Sequence, residues 1–182
     1  KYIYENRFGN ISSFNFTPSA FFEKAWNAQT MKARGLYINL DTQRIVARAY
    51  DKFFNINERE ETKFDTLQRN LTFPVTAYVK ENGFLGIVSY NAETDDLFVT
   101  TKSNPDGEYA QYLRAMLHQK LSTETLCEIK DYAKEHDVSF VFECVDMKND
   151  PHVIDYPDDE LVLLDIVSNS LQFEKKNYEE LC

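Results

Sequence analysis

Two consecutive amphipathic stretches in the middle of the chain, with strand-like runs on both sides, constrain the fold more than any other feature. Residues 107–121 carry apolar side chains at spacings of three and four, which predicts a helix. Residues 122–137 predict a second helix with Ser122 as its N-cap. β-Branched and aromatic runs lie at residues 34–40, 44–50, 73–79, 84–90, 96–101, 138–145, 152–156 and 160–167. This order of strands, a helix pair and further strands predicts an α+β domain of antiparallel sheets with packed helices.

The first part of the chain adds a short helix and two hairpins to this expectation. Residues 19–27 predict a helix with Ser19 as its cap. A turn around Asp41 joins the runs at 34–40 and 44–50. The letters "ENG" at 81–83 predict a hairpin between residues 73–79 and 84–90, since Asn-Gly is a strong hairpin signal.

Charge is distributed unevenly along the chain. The net charge of −10 argues against phosphate contacts over the whole surface. Residues 1–80, however, hold 12 Lys/Arg against 8 Asp/Glu, whereas residues 81–182 hold 8 against 22. The first part is therefore permissive for a phosphate site, and the acidity of the second is typical of a solvated surface.

Length and composition favour one globular domain in a reducing compartment. The 182 residues are 43% hydrophobic, and no apolar run approaches the roughly 18 residues that span a bilayer. Three widely spaced cysteines without metal-site spacing favour the cytoplasm. We treat residues 1–182 as a single domain, or as the N-terminal part of a longer protein.

Several well-known site motifs are absent from the sequence. It has neither a Gly-x-Gly-x-x-Gly pattern nor a Walker lysine motif. His118, His136 and His152 are scattered and lack a second ligand at metal spacing. No nucleophile-elbow motif supports a serine hydrolase.

Charged residues within or beside apolar strands are the remaining candidates: Arg34, Arg48, Lys52, Lys102 and Glu143. Strand alternation can place each of them on a solvated face. Glu143 is harder to explain in this way, because it shares a face with Val141 and Val145. A carboxylate between two valines is either paired or faces a cleft.

Lys80, in "AYVKENGFLGIVSY" at 77–90, has two interpretations. It is either a surface residue of the predicted hairpin or a nucleophile presented at a turn, where Gly83 lets a ligand approach. The spacing of Lys80 and Gly83 alone does not decide between them.

Taken together, these segments resemble the adenylyltransferase domain of RNA ligases of the bacteriophage T4 RNA ligase 1 type, a set that fungal tRNA ligases largely share. The resemblance runs from about residue 12 to the end of the chain. It rests on several segments in the same order: "KARGLYINLDTQRIVARAYDKFFNINE", "YVKENGFLGIVSY", "LFVTTKS", "FVFECVDMKNDPHVIDY" and "LVLLDIV".

The resemblance implies a nucleotidyltransferase (ATP-grasp-like ligase) adenylation domain and an ATP-dependent RNA ligase. Lys80 matches the lysine that attacks the α-phosphate of ATP and forms a covalent lysyl-AMP. AMP then passes to an RNA 5′-phosphate, and an RNA 3′-hydroxyl displaces it. The implied cofactors are ATP and Mg²⁺ or Mn²⁺, the implied partner is RNA, and the implied setting is cytoplasmic RNA repair or tRNA splicing.

The same resemblance assigns roles to further residues. Those that match ATP-binding positions are Phe14, Arg34, Lys52, Lys80, Gly83, Lys102 and Glu143. Arg34 and Lys52 match phosphate contacts, and Glu143 matches a ribose contact. Phe14 stands where the phage enzyme has tyrosine, so a phenolic hydrogen bond is not expected. Phe54 and Glu58 are expected to support the site, and no metal ligand is identified.

One departure from the family pattern keeps alternatives open. The family's later metal-binding glutamate and lysine-x-lysine strands do not follow "LVLLDIV", and "EKKNYEE" does not replace them. The protein is therefore a ligase, a non-catalytic nucleotide- or RNA-binding module, or an enzyme that transfers AMP to another acceptor.

Overall fold

The computed structural model of the chain describes residues 1–151 and 154–172. The strands are β1 (Ile3–Phe8), β2 (Ile11–Phe16), β3 (Leu36–Asn39), β4 (Arg44–Arg48), β5 (Phe84–Asn91), β6 (Asp96–Thr101), β7 (Val138–Val145) and β8 (Glu160–Ser168). The α-helices are α1 (Pro18–Phe22), α2 (Ala28–Lys32), α3 (Phe64–Asn70), α4 (Glu108–Lys120) and α5 (Thr123–His136). A 3₁₀ turn covers Glu60–Thr62.

The strands form two antiparallel four-stranded sheets, which confirms the predicted α+β class. The first sheet has the order β1-β2-β3-β4 and the second has the order β6-β5-β7-β8. The hairpin predicted around Asp41 joins β3 and β4, in which Tyr37 pairs with Ala47. The helix pair lies between β6 and β7 in the chain, as predicted.

Two apolar cores hold the molecule as three layers. One lies between the two sheets and includes Tyr37, Ile87 and Val141. The other lies between the second sheet and the helices α4 and α5, and it includes Leu113 and Phe142. Because alternate residues of a strand face opposite sides, the apolar residues of β5 and β7 supply both cores.

Local sequence explains where the helices begin. The Ser122 side chain accepts a hydrogen bond from the backbone of Thr125 and caps α5, as predicted. The predicted helix at 19–27 is instead α1, and Ser19 is not its cap. The Thr17 side chain caps α1 and Pro18 occupies its first turn, where proline's fixed φ favours a helix start.

Two predicted strands are not found in the described residues. Residues 73–79 are not in a strand, and β5 pairs on its two sides with β6 and β7, so no edge of β5 is available for a hairpin with them. Of the predicted strand 152–156, residues 154–156 are not in a strand and residues 152–153 lie outside the described part. Most of "LQFEKKNYEEL" also lies outside it, because the described part ends at residue 172. No described helix combines the length and apolar character needed to cross a membrane.

Candidate active site

Residues 80–83, which we call the Lys80 segment, are held by hydrogen bonds to other residues and not by strand pairing. The backbone N–H of Gly83 donates to the Glu143 Oε1 atom at 3.0 Å, and the backbone N–H of Asn82 donates to the Tyr156 hydroxyl at 2.8 Å. That hydroxyl donates in turn to the Glu81 Oε2 atom at 3.0 Å. Each residue between Lys80 and β5 is thus held by a hydrogen bond.

Gly83 is required by a close approach to β7. A Cβ atom at this position would lie 2.2 Å from the carbonyl oxygen of Cys144 and 3.0 Å from the backbone nitrogen of Val145. These are backbone atoms and cannot move aside as a flexible side chain can. The glycine therefore lets the Lys80 segment lie directly against β7, which differs from the turn role that the sequence suggested.

Lys80 lies at an open cleft of about 600 Å³ between its own segment and the second sheet. Its side chain is exposed, and Nζ donates to the carbonyl of Glu81 at 3.3 Å. The lining residues are Arg34, Tyr50, Phe53, Tyr78, Val79, Lys80, Glu81, Leu85, Glu143, Val162, Leu163 and Leu164. The cleft therefore brings Lys80 together with two of the charged residues that the sequence singled out.

Arg34 reaches the cleft from the turn between α2 and β3. Gly35 follows it at φ +61°, where a Cβ atom would lie 2.9 Å from Ile87 Cδ1. The guanidinium lies over the Phe53 ring at 5.4 Å. Burial lowers the pKa of Arg34, while the charge of Glu143 opposes that shift. Among the described residues, the buried Nη1 atom of Arg34 has no hydrogen-bond partner.

Lys52 rests on aromatic rings beside Arg34. Its Nζ atom is 4.1 Å from the centroid of Phe54 and 5.6 Å from that of Trp26, and it donates to the carbonyl of Phe53. Burial lowers the pKa of Lys52, and the nearby charge of Arg34 adds to this effect. Glu58 opposes it, and Glu58 also accepts from the backbone N–H of Asn55 at 2.8 Å. Phe54 and Glu58 thus both interact with Lys52.

Lys102 follows β6 and brings a further cation towards Arg34. Although its side chain is exposed, partial desolvation lowers its pKa, and the charge of Arg34 adds to this. Nζ lies 5.1 Å from the Phe16 ring. Phe14 instead lines a separate apolar groove of about 350 Å³ with Ile3 and Leu36. The structure therefore brings Phe16, and not Phe14, next to the cations.

Arg48 is a structural residue. Only 2% of it is exposed, and its guanidinium donates to the carbonyls of Ala49 and Ser170 and to the Asp51 carboxylate. These contacts tie the end of β4 to the segment after β8. Its burial is explained by these partners, and it does not line the cleft.

The sequence did not indicate three residues that shape this region: Phe16, Trp26 and Tyr156. Trp26 packs edge-to-face against Phe16 at 5.1 Å and against Phe54 at 5.5 Å. It is the only tryptophan of the chain and lies four residues after Phe22 of the aromatic pair Phe21 and Phe22, which was the available signal. Tyr156 carried no such signal, because its role depends on a contact across 74 residues of sequence.

Metal ligands are not gathered in the described part of the chain. Among residues 1–151 and 154–172, no group of three or more His, Cys, Asp or Glu side chains is placed to hold a metal ion. Arg34 lines the cleft, whereas Lys52 and Lys102 do not line it but lie close enough to Arg34 for its charge to lower the pKa of each. Such a set suits a ligand that carries several negative charges.

The candidate site is thus an exposed lysine at a cleft that Arg34 and the strand residue Glu143 also line, on an α+β scaffold. The chain belongs to the RNA ligase family of the T4 RNA ligase 1 type, whose model, described as RNA ligase, matches residues 32–182. This confirms the resemblance found in the sequence.

Two fungal proteins are among its relatives. The tRNA ligase of Candida albicans is 28% identical over 154 residues, which cover 71% of this chain and 18% of that protein. The tRNA ligase 1 of Schizosaccharomyces pombe is 47% identical over 55 residues, which cover 28% of this chain and 7% of that protein. The chain thus matches less than a fifth of the length of either relative.

Proposed function

We propose that the chain is the nucleotidyltransferase domain of an ATP-dependent RNA ligase and that Lys80 carries AMP as a covalent intermediate. The observation that carries this proposal is the cleft that Lys80, Arg34 and Glu143 all line, in a chain that belongs to an RNA ligase family. The hydrogen bond from the Gly83 backbone to Glu143 holds the Lys80 segment next to β7.

The first chemical step is attack by the neutral Lys80 amine on the α-phosphorus of ATP. A bond forms between Nζ and phosphorus, the bond to the pyrophosphate oxygen breaks, and the amine releases a proton. Because this step moves negative charge onto pyrophosphate, cations near the triphosphate stabilise its transition state. Arg34, Lys52 and Lys102 are the residues that would supply this charge.

Two further steps use RNA. An RNA 5′-phosphate oxygen attacks the phosphorus of the lysyl adenylate, and the bond to Lys80 breaks. An RNA 3′-hydroxyl then attacks the 5′-phosphate, a phosphodiester forms and AMP leaves. The names of the two tRNA ligases support a role in tRNA splicing or RNA repair, with RNA carrying a 5′-phosphate and a 3′-hydroxyl as the partner. We place this activity in the cytoplasm.

The residues present fit ATP more clearly than they fit a metal ion. The unpartnered Nη1 atom of Arg34, in the described part of the chain, and the cleft volume of about 600 Å³ suit a nucleotide with its phosphates. Glu143 would accept from the ribose. Since no cluster of metal ligands lies among the described residues, we assign none for Mg²⁺ or Mn²⁺.

Covalent labelling tests the proposal. The protein is incubated with α-labelled ATP and Mg²⁺ or Mn²⁺, denatured and analysed for bound label. We expect label on the wild type and none on Lys80→Ala. Lys80→Arg is also expected to fail, because a guanidinium stays protonated and is not nucleophilic. Lys120→Ala is the matched control, since Lys120 is an exposed lysine at the end of α4.

The outcomes separate the alternatives. Equal label on Lys80→Ala would show that Lys80 is not the nucleophile. Wild-type protein without any label would favour the non-catalytic binding module. If labelled protein does not pass AMP to 5′-phosphorylated RNA, the acceptor is another molecule.

A further inference from the structure

A second pocket, separate from the cleft, lies near Lys52. It encloses about 470 Å³, and we call it the aromatic pocket. Its lining residues are Phe21, Phe22, Lys24, Trp26, Glu58, Arg59, Glu60 and Glu61. None of them belongs to the wall of the Lys80 cleft.

Exposed aromatic rings dominate one wall of this pocket. Phe22 is 79% exposed and Phe21 is 46% exposed, and the two rings meet edge-to-face at 5.6 Å. Phe21 packs edge-to-face against Trp26 at 6.4 Å, which makes one continuous aromatic surface. Rings that remain this open to water can accept another flat ring by stacking.

The three carboxylates that line the pocket already have partners. Glu61 pairs with Arg59 at 2.7 Å, and Glu60 pairs with Lys63 at 2.6 Å. Glu58 accepts a backbone hydrogen bond and faces the charge of Lys52. Lys24 lines the pocket and makes no ion pair within residues 1–151 and 154–172. The charge available to a new ligand is therefore the Lys24 ammonium.

Lys52 connects the aromatic pocket to the candidate active site. Its Nζ lies 5.6 Å from the Trp26 ring, which lines the pocket, and 5.9 Å from the Phe53 ring, which lines the cleft. A ligand that occupies the aromatic pocket is thus one side chain away from the cleft. A flat, apolar face together with a cation is the combination by which proteins bind unpaired bases of single-stranded nucleic acids.

We propose that the aromatic pocket binds an unpaired nucleobase of the RNA strand, stacked on Phe22 and Phe21, with Lys24 at a neighbouring phosphate. This inference rests on the proposed function, since it assigns a place to part of the RNA substrate. The adenine of ATP is a different ligand, because the cleft beside Lys80 is the site that we assign to it.

Trp26 reports directly on the occupancy of this pocket. As the only tryptophan of the chain, it supplies all of the tryptophan fluorescence. Titration with a single-stranded RNA oligonucleotide is expected to quench that fluorescence, whereas ATP alone is not. Absence of a response to RNA, or an equal response to ATP alone, would overturn the proposal.

Substitutions make the test specific. Phe22→Ala is expected to weaken RNA binding about tenfold, the size of one base–aromatic stack. Phe64→Ala is the matched control, because Phe64 is 63% exposed and lies outside the pocket. Equal weakening by both variants, or by neither, would contradict the assigned site. Lys24→Ala should remove about one phosphate contact. The slope of the logarithm of the binding constant against the logarithm of the salt concentration should then change by roughly 0.7. An unchanged slope would show that Lys24 does not contact the RNA.

The test of RNA binding at the aromatic pocket can be separated from the test of the proposed ligase function. Lys80→Ala lacks the nucleophile but keeps the aromatic pocket intact, so its Trp26 titration with RNA is expected to match that of the wild type. If ATP labelling fails while RNA still quenches Trp26, the pocket stands without the ligase chemistry. If labelling succeeds and RNA has no effect, only the pocket assignment is wrong.

Discussion

At the scale of single residues, Glu143 has two contacts that explain a carboxylate on a mostly apolar strand. One oxygen accepts from the backbone of Gly83, and the charge supports the protonated form of Arg34. The strand pattern alone left two interpretations open, a pairing or a cleft, and the structure shows that both hold. A buried or half-buried carboxylate needs such partners because its desolvation is costly.

Gly83→Ala is expected to disturb the Lys80 segment more than its small size suggests. The new methyl group would lie 2.2 Å from the Cys144 carbonyl oxygen, so the segment or β7 must shift. Overpacking of this kind costs about 1–3 kcal/mol. Urea unfolding should show this loss, and labelling of Lys80 by ATP should fall further than the loss of folded protein explains.

Gly107→Ala is the control for that substitution. The three atoms nearest to a Cβ at Gly107 all belong to the side chain of Asn104, at 3.1–3.4 Å, and that side chain can move. We expect wild-type labelling in this variant. Wild-type labelling in Gly83→Ala as well would show that the close approach to β7 does not position Lys80.

At the scale of elements, the turn between β5 and β6 is fastened to α5. The Asp95 carboxylate accepts from Lys134 Nζ at 2.8 Å and from the Tyr90 hydroxyl at 2.7 Å. These hydrogen bonds lower the pKa of Asp95 to about 2, with Lys134 as the larger cause. The pair is exposed, so its contribution to stability is small and decreases with salt.

The sign of the resulting pH dependence follows from the lowered pKa. In the unfolded chain the Asp95 carboxyl has a pKa of about 3.9. Its stabilisation is therefore complete above about pH 4 and is lost as the pH falls through about 2. Asp95→Asn should lose less stability than the wild type between pH 6 and pH 2 in urea unfolding.

Asp131→Asn is the control for this prediction, because Asp131 lies on the same helix as Lys134. It should keep the wild-type difference between the two pH values. If Asp95→Asn keeps the wild-type pH profile as well, the hydrogen bonds to Asp95 do not contribute to stability.

Elements with a strong local sequence pattern were predicted correctly. Segments whose structure depends on pairing with a distant strand were not. Both long helices and the strands β5 to β8 were predicted, because periodicity and caps suffice for them. Residues 73–79 also look like a strand, but a strand needs a free edge, and β6 and β7 already occupy both edges of β5. The strands β1 and β2 were not predicted, although they form half of the first sheet.

The residues of the candidate site also differ in whether the sequence could indicate them. Arg34, Lys80 and Glu143 were singled out from the sequence and the structure brings them to one cleft. Phe14 was singled out and lies elsewhere, while Tyr156 was not noticed and holds the Lys80 segment. Charged residues in apolar strands can be recognised locally, whereas a long-range contact of a single hydroxyl cannot.

At the scale of the whole molecule, the cations of the site come from both sheets, so the packing of the sheets determines their geometry. Arg34 lies just before β3, in the first sheet, and Lys102 lies just after β6, in the second. Tyr37 bridges the two: its hydroxyl donates to the Thr101 carbonyl at 2.9 Å and accepts from Thr100 at 2.7 Å. The Tyr37 hydroxyl is therefore one of the contacts that set the position of Lys102 relative to Arg34. The hydrogen bond from the Ser13 hydroxyl to the Ser103 carbonyl at 2.8 Å is another.

Tyr37→Phe is expected to destabilise the protein and to weaken nucleotide binding together. It keeps the ring, which packs on Phe98 at 5.4 Å, and removes only the hydroxyl. Because the buried Thr100 hydroxyl keeps only its longer hydrogen bond to the Thr101 carbonyl at 3.4 Å, the cost should be about 0.5–1.5 kcal/mol in urea unfolding. ATP affinity should also fall in the folded protein, since the Thr101 carbonyl next to Lys102 is released.

A double-mutant cycle separates the hydrogen bond from general effects on the core. Thr100→Val removes the other hydroxyl, so the double variant should be more stable than the sum of the two single losses predicts, by about 0.5–3 kcal/mol. Tyr132→Phe, in the core on the helix side of the second sheet, is the control and should leave ATP affinity unchanged. Additive losses for Tyr37 and Thr100, with ATP affinity unaffected, would show that the sheets position Arg34 and Lys102 through their other contacts.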